Sequence, residues 1–201
     1  MKITKKNMLK IIKNNVIGRL TKQIIKNNKI SIKSFGKITH THLNTTFDEK
    51  VPINKCISSL FYDCDTKKLF KKTDTDKIEN NDDQLMKKLY DKLNGIIIIE
   101  DDKSYVYINE TIDDEMTERT IIHEINHYVN RCTIFSSDEK LDKVIDEYCA
   151  LLSEKIYMGH IVDTNDLKNR SKRDVEHEEI TNTDIPDIPI NFLNNYSLYM
   201  K

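Results

Sequence analysis

Thr120-Ile121-Ile122-His123-Glu124-Ile125-Asn126-His127-Tyr128-Val129 is the stretch from which the rest of this chain is understood. Histidines four residues apart on an α-helix stand one turn above the other on one face, so both imidazoles can reach a single metal ion. Glu124 points to the neighbouring side of that face, where it can meet a water on the metal without being a ligand. This is the H-E-x-x-H arrangement, in which zinc lowers the pKa of a water to about 7 and the glutamate accepts its proton. The plainer alternative is a surface helix whose histidines carry no metal. Against it, Ile121, Ile122, Ile125, Tyr128 and Val129 leave the helix largely apolar outside the His/Glu stripe, and such a helix is usually a buried one. Buried imidazoles and a buried carboxylate need partners, which a metal supplies.

Two histidines do not complete a catalytic zinc site, which takes three protein ligands and one open position. The metzincin pattern requires a glycine and a further histidine soon after the second one. Tyr128-Val129-Asn130-Arg131-Cys132-Thr133 has neither. The other common solution is a glutamate from a later helix. Ser136 and Glu139 have the S-x-x-E spacing of a capping box that opens one, and Gly159 is a natural stop just past Met158. The apolar stripe of that helix is Leu141, Val144, Ile145, Tyr148, Leu151 and Leu152. Glu147 falls within the stripe, where a carboxylate is costly unless it is paired or binds metal. It is the expected third ligand, with Asp146 as the alternative and Glu154, one heptad later, as a weaker one; a solvated helix edge is the plain reading of Glu147.

With His123-Glu124-x-x-His127 on one helix and Glu147 on the next, the chain resembles the gluzincin metallopeptidases. The nearer likeness is to their small members, among them the intracellular peptidases of the ImmA/IrrE type. Gly95-Ile96-Ile97-Ile98-Ile99-Glu100 and Ser104-Tyr105-Val106-Tyr107-Ile108-Asn109 match the hairpin before the active-site helix, and Glu147-Tyr148-Cys149-Ala150 matches an E-x-x-A second helix. The likeness covers residues 94–158. Two positions depart from it: Asn126 stands where a glycine often precedes the second histidine, and Leu151 stands where a thermolysin-like chain orients a histidine with an aspartate. The resemblance implies an α+β, zincin-like domain with one Zn2+ per chain on His123, His127 and Glu147. Glu124 is then the general base of peptide-bond hydrolysis. His160, Tyr157 and His177 are the nearest candidates by sequence for stabilising the oxyanion.

Ile96–Glu100 and Tyr105–Ile108 are the clearest strands, joined through Asp101-Asp102-Lys103. An edge strand beside the motif helix offers a peptide substrate a place to add as a further strand. Thr111 and Asp114 have the capping-box spacing that opens the motif helix. Earlier, Ser31–Leu43 alternates as one strand or a hairpin about Gly36, with His40 and His42 on one face. Phe47–Phe70 is ambiguous, with a short strand or helix around Ile57–Tyr62. Lys71–Asp83 reads as a polar loop, and Gln84–Leu93 as a helix ended by Asn94-Gly95.

The chain of 201 residues is long enough for one domain with appended segments, although 32% of it is charged and only 38% hydrophobic. Residues 1–30 carry nine basic groups, no acidic one and apolar positions at helical spacing, the pattern of a basic amphipathic helix packed by its apolar side. Residues 31–160 form the expected catalytic domain. Residues 161–201 read as an acidic linker followed by an apolar tail (Ile190, Phe192, Leu193, Tyr196, Leu198, Tyr199), which docks on the core or restrains the cleft. No run is long or apolar enough for a signal peptide or a transmembrane span, and Cys56, Cys64, Cys132 and Cys149 form no CxxC. These features point to a cytoplasmic protein with reduced thiols. The abundance of lysine, asparagine and isoleucine fits an AT-rich genome such as that of a virus, phage or low-GC bacterium.

Two other functions compete. A non-hydrolytic zinc-binding interaction protein on the same fold would not need Glu124. A nucleic-acid-binding accessory protein would use the basic N-terminus, but the net charge of −1 disfavours it.

Overall fold

The computed structural model describes residues 9–36, 60–63, 68–71, 93–99 and 103–187. In chain order these form α1 (Val16–Asn27), β1 (Ser31–Gly36), β2 (Leu60–Asp63), β3 (Lys68–Lys71), β4 (Gly95–Ile99), β5 (Ser104–Asn109), α2 (Asp114–Asn130), α3 (Glu139–Met158) and α4 (Thr164–Asp174). The result is a mixed α+β fold around one sheet, whose strand order is β3-β2-β1-β5-β4.

The isoleucine run and the Tyr/Val/Ile run pair antiparallel as a hairpin, with Gly95 opposite Ile108 and Ile99 opposite Ser104. β1 lies parallel to β5 on the other side, Ile32 opposite Val106. Period-two alternation divides the faces. Ile32, Val106 and Ile108 are buried in a core shared with Ile17, Ile24 and Ile25 of α1 and Ile121, Ile122, Ile125 and Val129 of α2, and Ile97 packs against that core. Phe35, Ile96 and Tyr107 cluster on the opposite face with Leu93, Ile98 and Tyr105. A second core joins α3 and α4 through Val144, Ile145, Tyr148, Leu151, Leu152 and Leu167. The motif helix α2 is therefore covered twice, by the sheet on its apolar side and by α3 on its polar stripe.

Several elements differ from their sequence reading. The basic N-terminal segment is not one helix: residues 9–11 are helical, the chain breaks, and α1 starts at Val16. Asn15 causes the break, because it takes extended backbone, accepts from the Gly18 amide and donates to the Tyr157 carbonyl. Asp113, not Thr111, caps α2; its carboxylate accepts from the Met116 amide, while the Thr111 amide and hydroxyl both go to Asn109. Asp138, not Ser136, caps α3, and the amides of Phe135 and Ser136 bond Asp142 instead. Gly159 does end α3, in the left-handed conformation at φ 72° that glycine adopts without strain.

Thr164–Asp174, within the expected linker, is a helix whose burial rests on Leu167, Lys168 and Ser171, a stripe too thin to announce itself as periodicity. Leu60–Asp63, within the ambiguous stretch, and Lys68–Lys71, which runs from it into the first residue of the expected polar loop, are strands. Of the Ser31–Leu43 reading, residues 31–36 are strand. His40 and His42, the Lys71–Asp83 loop past its first residue, most of Gln84–Leu93, the Asp101-Asp102 turn, Cys56, Cys64 and the apolar tail lie outside the described residues. Among the described residues, no helix is long and apolar enough to cross a membrane. Cys132 is exposed, whereas Cys149 is buried in the α3/α4 core, where burial and then the nearby Asp146 charge push its thiol pKa up.

Candidate metal centre

Asp114 and Glu115 in the first turn of α2, behind the Asp113 cap, favour helix initiation through the macrodipole. Once α2 forms, Arg119, His123, His127 and Asn130 recur at spacings of four, four and three, a single stripe. That stripe faces α3. Glu154 meets the level of Arg119 and His123, and Asp146 the level of His127 and Asn130, so the two helices run antiparallel. Between these levels on α3 stands Ala150, fully buried.

Three expected ligands converge. His123 Nε2 and His127 Nε2 are 3.0 Å apart. The Glu147 carboxylate faces both, one oxygen 3.5 Å from His123 Nε2 and the other 3.4 Å from His127 Nε2. The outer nitrogens of both rings are also engaged. His123 Nδ1 is 2.8 Å from Glu154 Oε1, and His127 Nδ1 is 2.7 Å from Asp146 Oδ2. The alternatives Asp146 and Glu154 thus lie behind the imidazoles, on the side away from the convergence point, and Glu147 alone of the three carboxylates faces the Nε2 atoms.

The donor set could hold a metal ion: His123, His127 and Glu147 each offer one ligand atom, and these atoms lie within 4.8 Å of one another. The ring chemistry agrees. A neutral imidazole that donates from Nδ1 has only a lone pair at Nε2, and two such lone pairs 3.0 Å apart need a cation or a proton between them.

Glu124 is buried beside this cluster but outside it. A Cβ built on Gly95, the first residue of β4, would come within 3.3 Å of Glu124 Cγ, so the glutamate lies against the start of that strand. The same Cβ would sit 2.3 Å from Thr120 Cγ2, which is why glycine stands where strand and motif helix meet.

In the metal-free chain, burial opposes charge on His123, but the hydrogen bonds to Glu147 and Glu154 outweigh it and raise its pKa from 6.5 to about 9. His127 is likewise raised well above 6.5, against burial, by Asp146 and then Glu147. Glu147 is held below the usual carboxylate range despite its burial, by hydrogen bonds to the two histidines, and Glu154 is lowered by His123 and Arg119. Without a metal, positive charge on the histidines is therefore favoured by the carboxylates around them, with a proton shared in the 3.0 Å gap between the two Nε2 atoms.

None of the three oxyanion candidates joins the cluster. The Tyr157 hydroxyl accepts from the Lys13 amide and donates to Glu118, under α1. His160 is exposed beyond the end of α3. His177 lies 3.6 Å from Glu179, which pairs with Lys140 at the opposite end of α3. What the sequence reading missed is the set behind the histidines: Arg119, Asn126, Asn130 and the orienting positions of Asp146 and Glu154. The repeat of Arg119 and Asn130 on the histidine stripe was the available signal.

No family model, no curated protein and no solved structure matches this chain.

Proposed function

We propose that this chain is a zinc-dependent peptidase of the minimal gluzincin type, with His123, His127 and Glu147 as ligands and Glu124 as general base. One observation carries the reading: two imidazole Nε2 atoms and a carboxylate meet on one point, each ring held from behind by a second carboxylate, with a further glutamate beside them. A zinc ion held there supplies a Lewis acid and lowers the pKa of a water to about 7.

The chain's own residues do the rest. Glu124, already packed against Gly95, accepts a proton from the attacking water and passes it to the departing amine. Among the described residues β4 ends the strand order on the motif-helix side, and its outer edge is where an extended peptide would add. A peptide laid there runs past Glu124, which fits a peptide or protein substrate bound as an added strand. The test is hydrolysis of a mixed peptide library by the purified chain, scored by new N-termini, before chelation, after chelation and after zinc is restored. Cleavage that is lost and regained supports the reading. Zinc-replete protein that cleaves none of the peptides, nor denatured proteins, overturns it in favour of a zinc-binding interaction protein.

The raised histidine pKa values give the uptake a definite pH dependence. Below about pH 9 zinc must displace the proton that His123 carries, so apparent affinity should climb by about tenfold per pH unit, and more steeply wherever His127 is protonated too. The sign for the metal-free chain is opposite. Charge on His123 contributes stability fully below its unfolded pKa of about 6.5, and that contribution is lost as pH rises through about 9. Zinc titrations against a competing chelator between pH 6 and 9, with proton release followed in weak buffer, check both statements.

A further inference from the structure

Glu154 and Asp146 do not end at the histidines. On one arm, Arg119 Nε and its terminal nitrogen donate to Glu154 Oε2 at 3.2 and 3.0 Å, leaving Oε1 for His123. Glu154 and Arg119 are both largely removed from solvent. On the other arm, Asn130 Nδ2 donates to Asp146 Oδ1 at 2.8 Å and to Asn126 Oδ1 at 2.9 Å, leaving Asp146 Oδ2 for His127. Asn126 and Asn130 are buried, and a buried amide in a helix interior is retained only where its hydrogen bonds are made.

Resting on the zinc-site reading above, we propose that Arg119–Glu154 and Asn126–Asn130–Asp146 are two positioning arms that set the tautomer and ring orientation of His123 and His127. Each arm crosses between α2 and α3, so it also fixes the register in which Glu147 meets the histidines. The arms differ in kind. Glu154 is fixed by a cation, which holds it as an anion and keeps both its oxygens engaged away from the convergence point. Asp146 is fixed by a neutral amide ladder that starts at Asn126, one residue before the ligand it serves. Orienting partners of this sort are worth about 10–100-fold in metal affinity.

The test is zinc affinity, measured by chelator competition, with the visible spectrum of the cobalt(II)-substituted protein as a readout of ligand geometry. Glu154→Ala and Asp146→Ala should each weaken zinc by about 10–100-fold and alter the cobalt spectrum. Glu154→Gln, which keeps an acceptor for His123 Nδ1, should restore most of the loss. Asn126→Ala should weaken zinc through Asn130 and Asp146. Arg119→Met should weaken zinc in the wild-type background and add nothing beside Glu154→Ala, because it acts through that carboxylate. Metal-free unfolding midpoints separate these effects from general destabilisation. Should Glu154→Ala fail to fold, Arg119→Met tests the same arm with α3 intact. One zinc per chain with wild-type affinity and spectrum in the alanine variants overturns the positioning roles alone. A wild-type chain that takes up no zinc overturns the peptidase reading and the arms together.

Discussion

Glu124→Gln should leave one zinc per chain and lower peptide hydrolysis by at least about a hundredfold. General-base catalysis contributes about 10²–10⁴-fold, and glutamine keeps the shape of glutamate but cannot accept the water's proton. Zinc content should not change, since the three donor atoms belong to His123, His127 and Glu147, and Glu124 lies beside them against Gly95. The measurement is metal content by elemental analysis together with the cleavage rate on the best library substrate. Activity that survives the substitution removes Glu124 from the mechanism. Loss of zinc together with activity would make Glu124 part of the metal-binding set, contrary to the geometry.

His123→Ala and Glu147→Ala should each strip the chain of stoichiometric zinc. Each removes one of three protein ligands, so the loss in affinity should exceed the roughly 10–100-fold cost of removing an orienting partner. The two variants should differ in the metal-free state. Glu147→Ala takes away the carboxylate that faces both Nε2 atoms, so the two imidazoles, 3.0 Å apart, lose a shared counter-charge and their pKa values should fall. His123→Ala leaves Glu154 with Arg119 as its partner. Zinc retained by Glu147→Ala but lost from His123→Ala would return the third ligand to Asp146 or Glu154, which here stand behind the rings. Histidine NMR titration of the metal-free variants checks the predicted fall.

Which parts were legible in the sequence follows from the range of the forces involved. Hydrophobic period placed β4, β5, α2 and α3, because apolar alternation and the i, i+4 stripe are local consequences of backbone geometry. Helix starts were misplaced because S-x-x-E spacing does not reveal which residue takes extended backbone; Asp113 and Asp138 do so and bring carboxylates to the first free amides. The break at Asn15 was hidden for a different reason. Its second hydrogen bond goes to Tyr157, 142 residues away.

The sequence by itself determined the two histidines on one helical face, the glutamate between them, the β-hairpin before them and a following helix with Glu147 in its apolar stripe, because spacing along a helix is a property of the chain alone. Only the tertiary structure decided which of three nearby carboxylates faces the histidine Nε2 atoms and which two hold the rings from behind. That choice depends on the direction and register with which α3 crosses α2. The Arg119–Glu154 and Asn130–Asp146 contacts mark that register, and both are long-range, so no local pattern can report them.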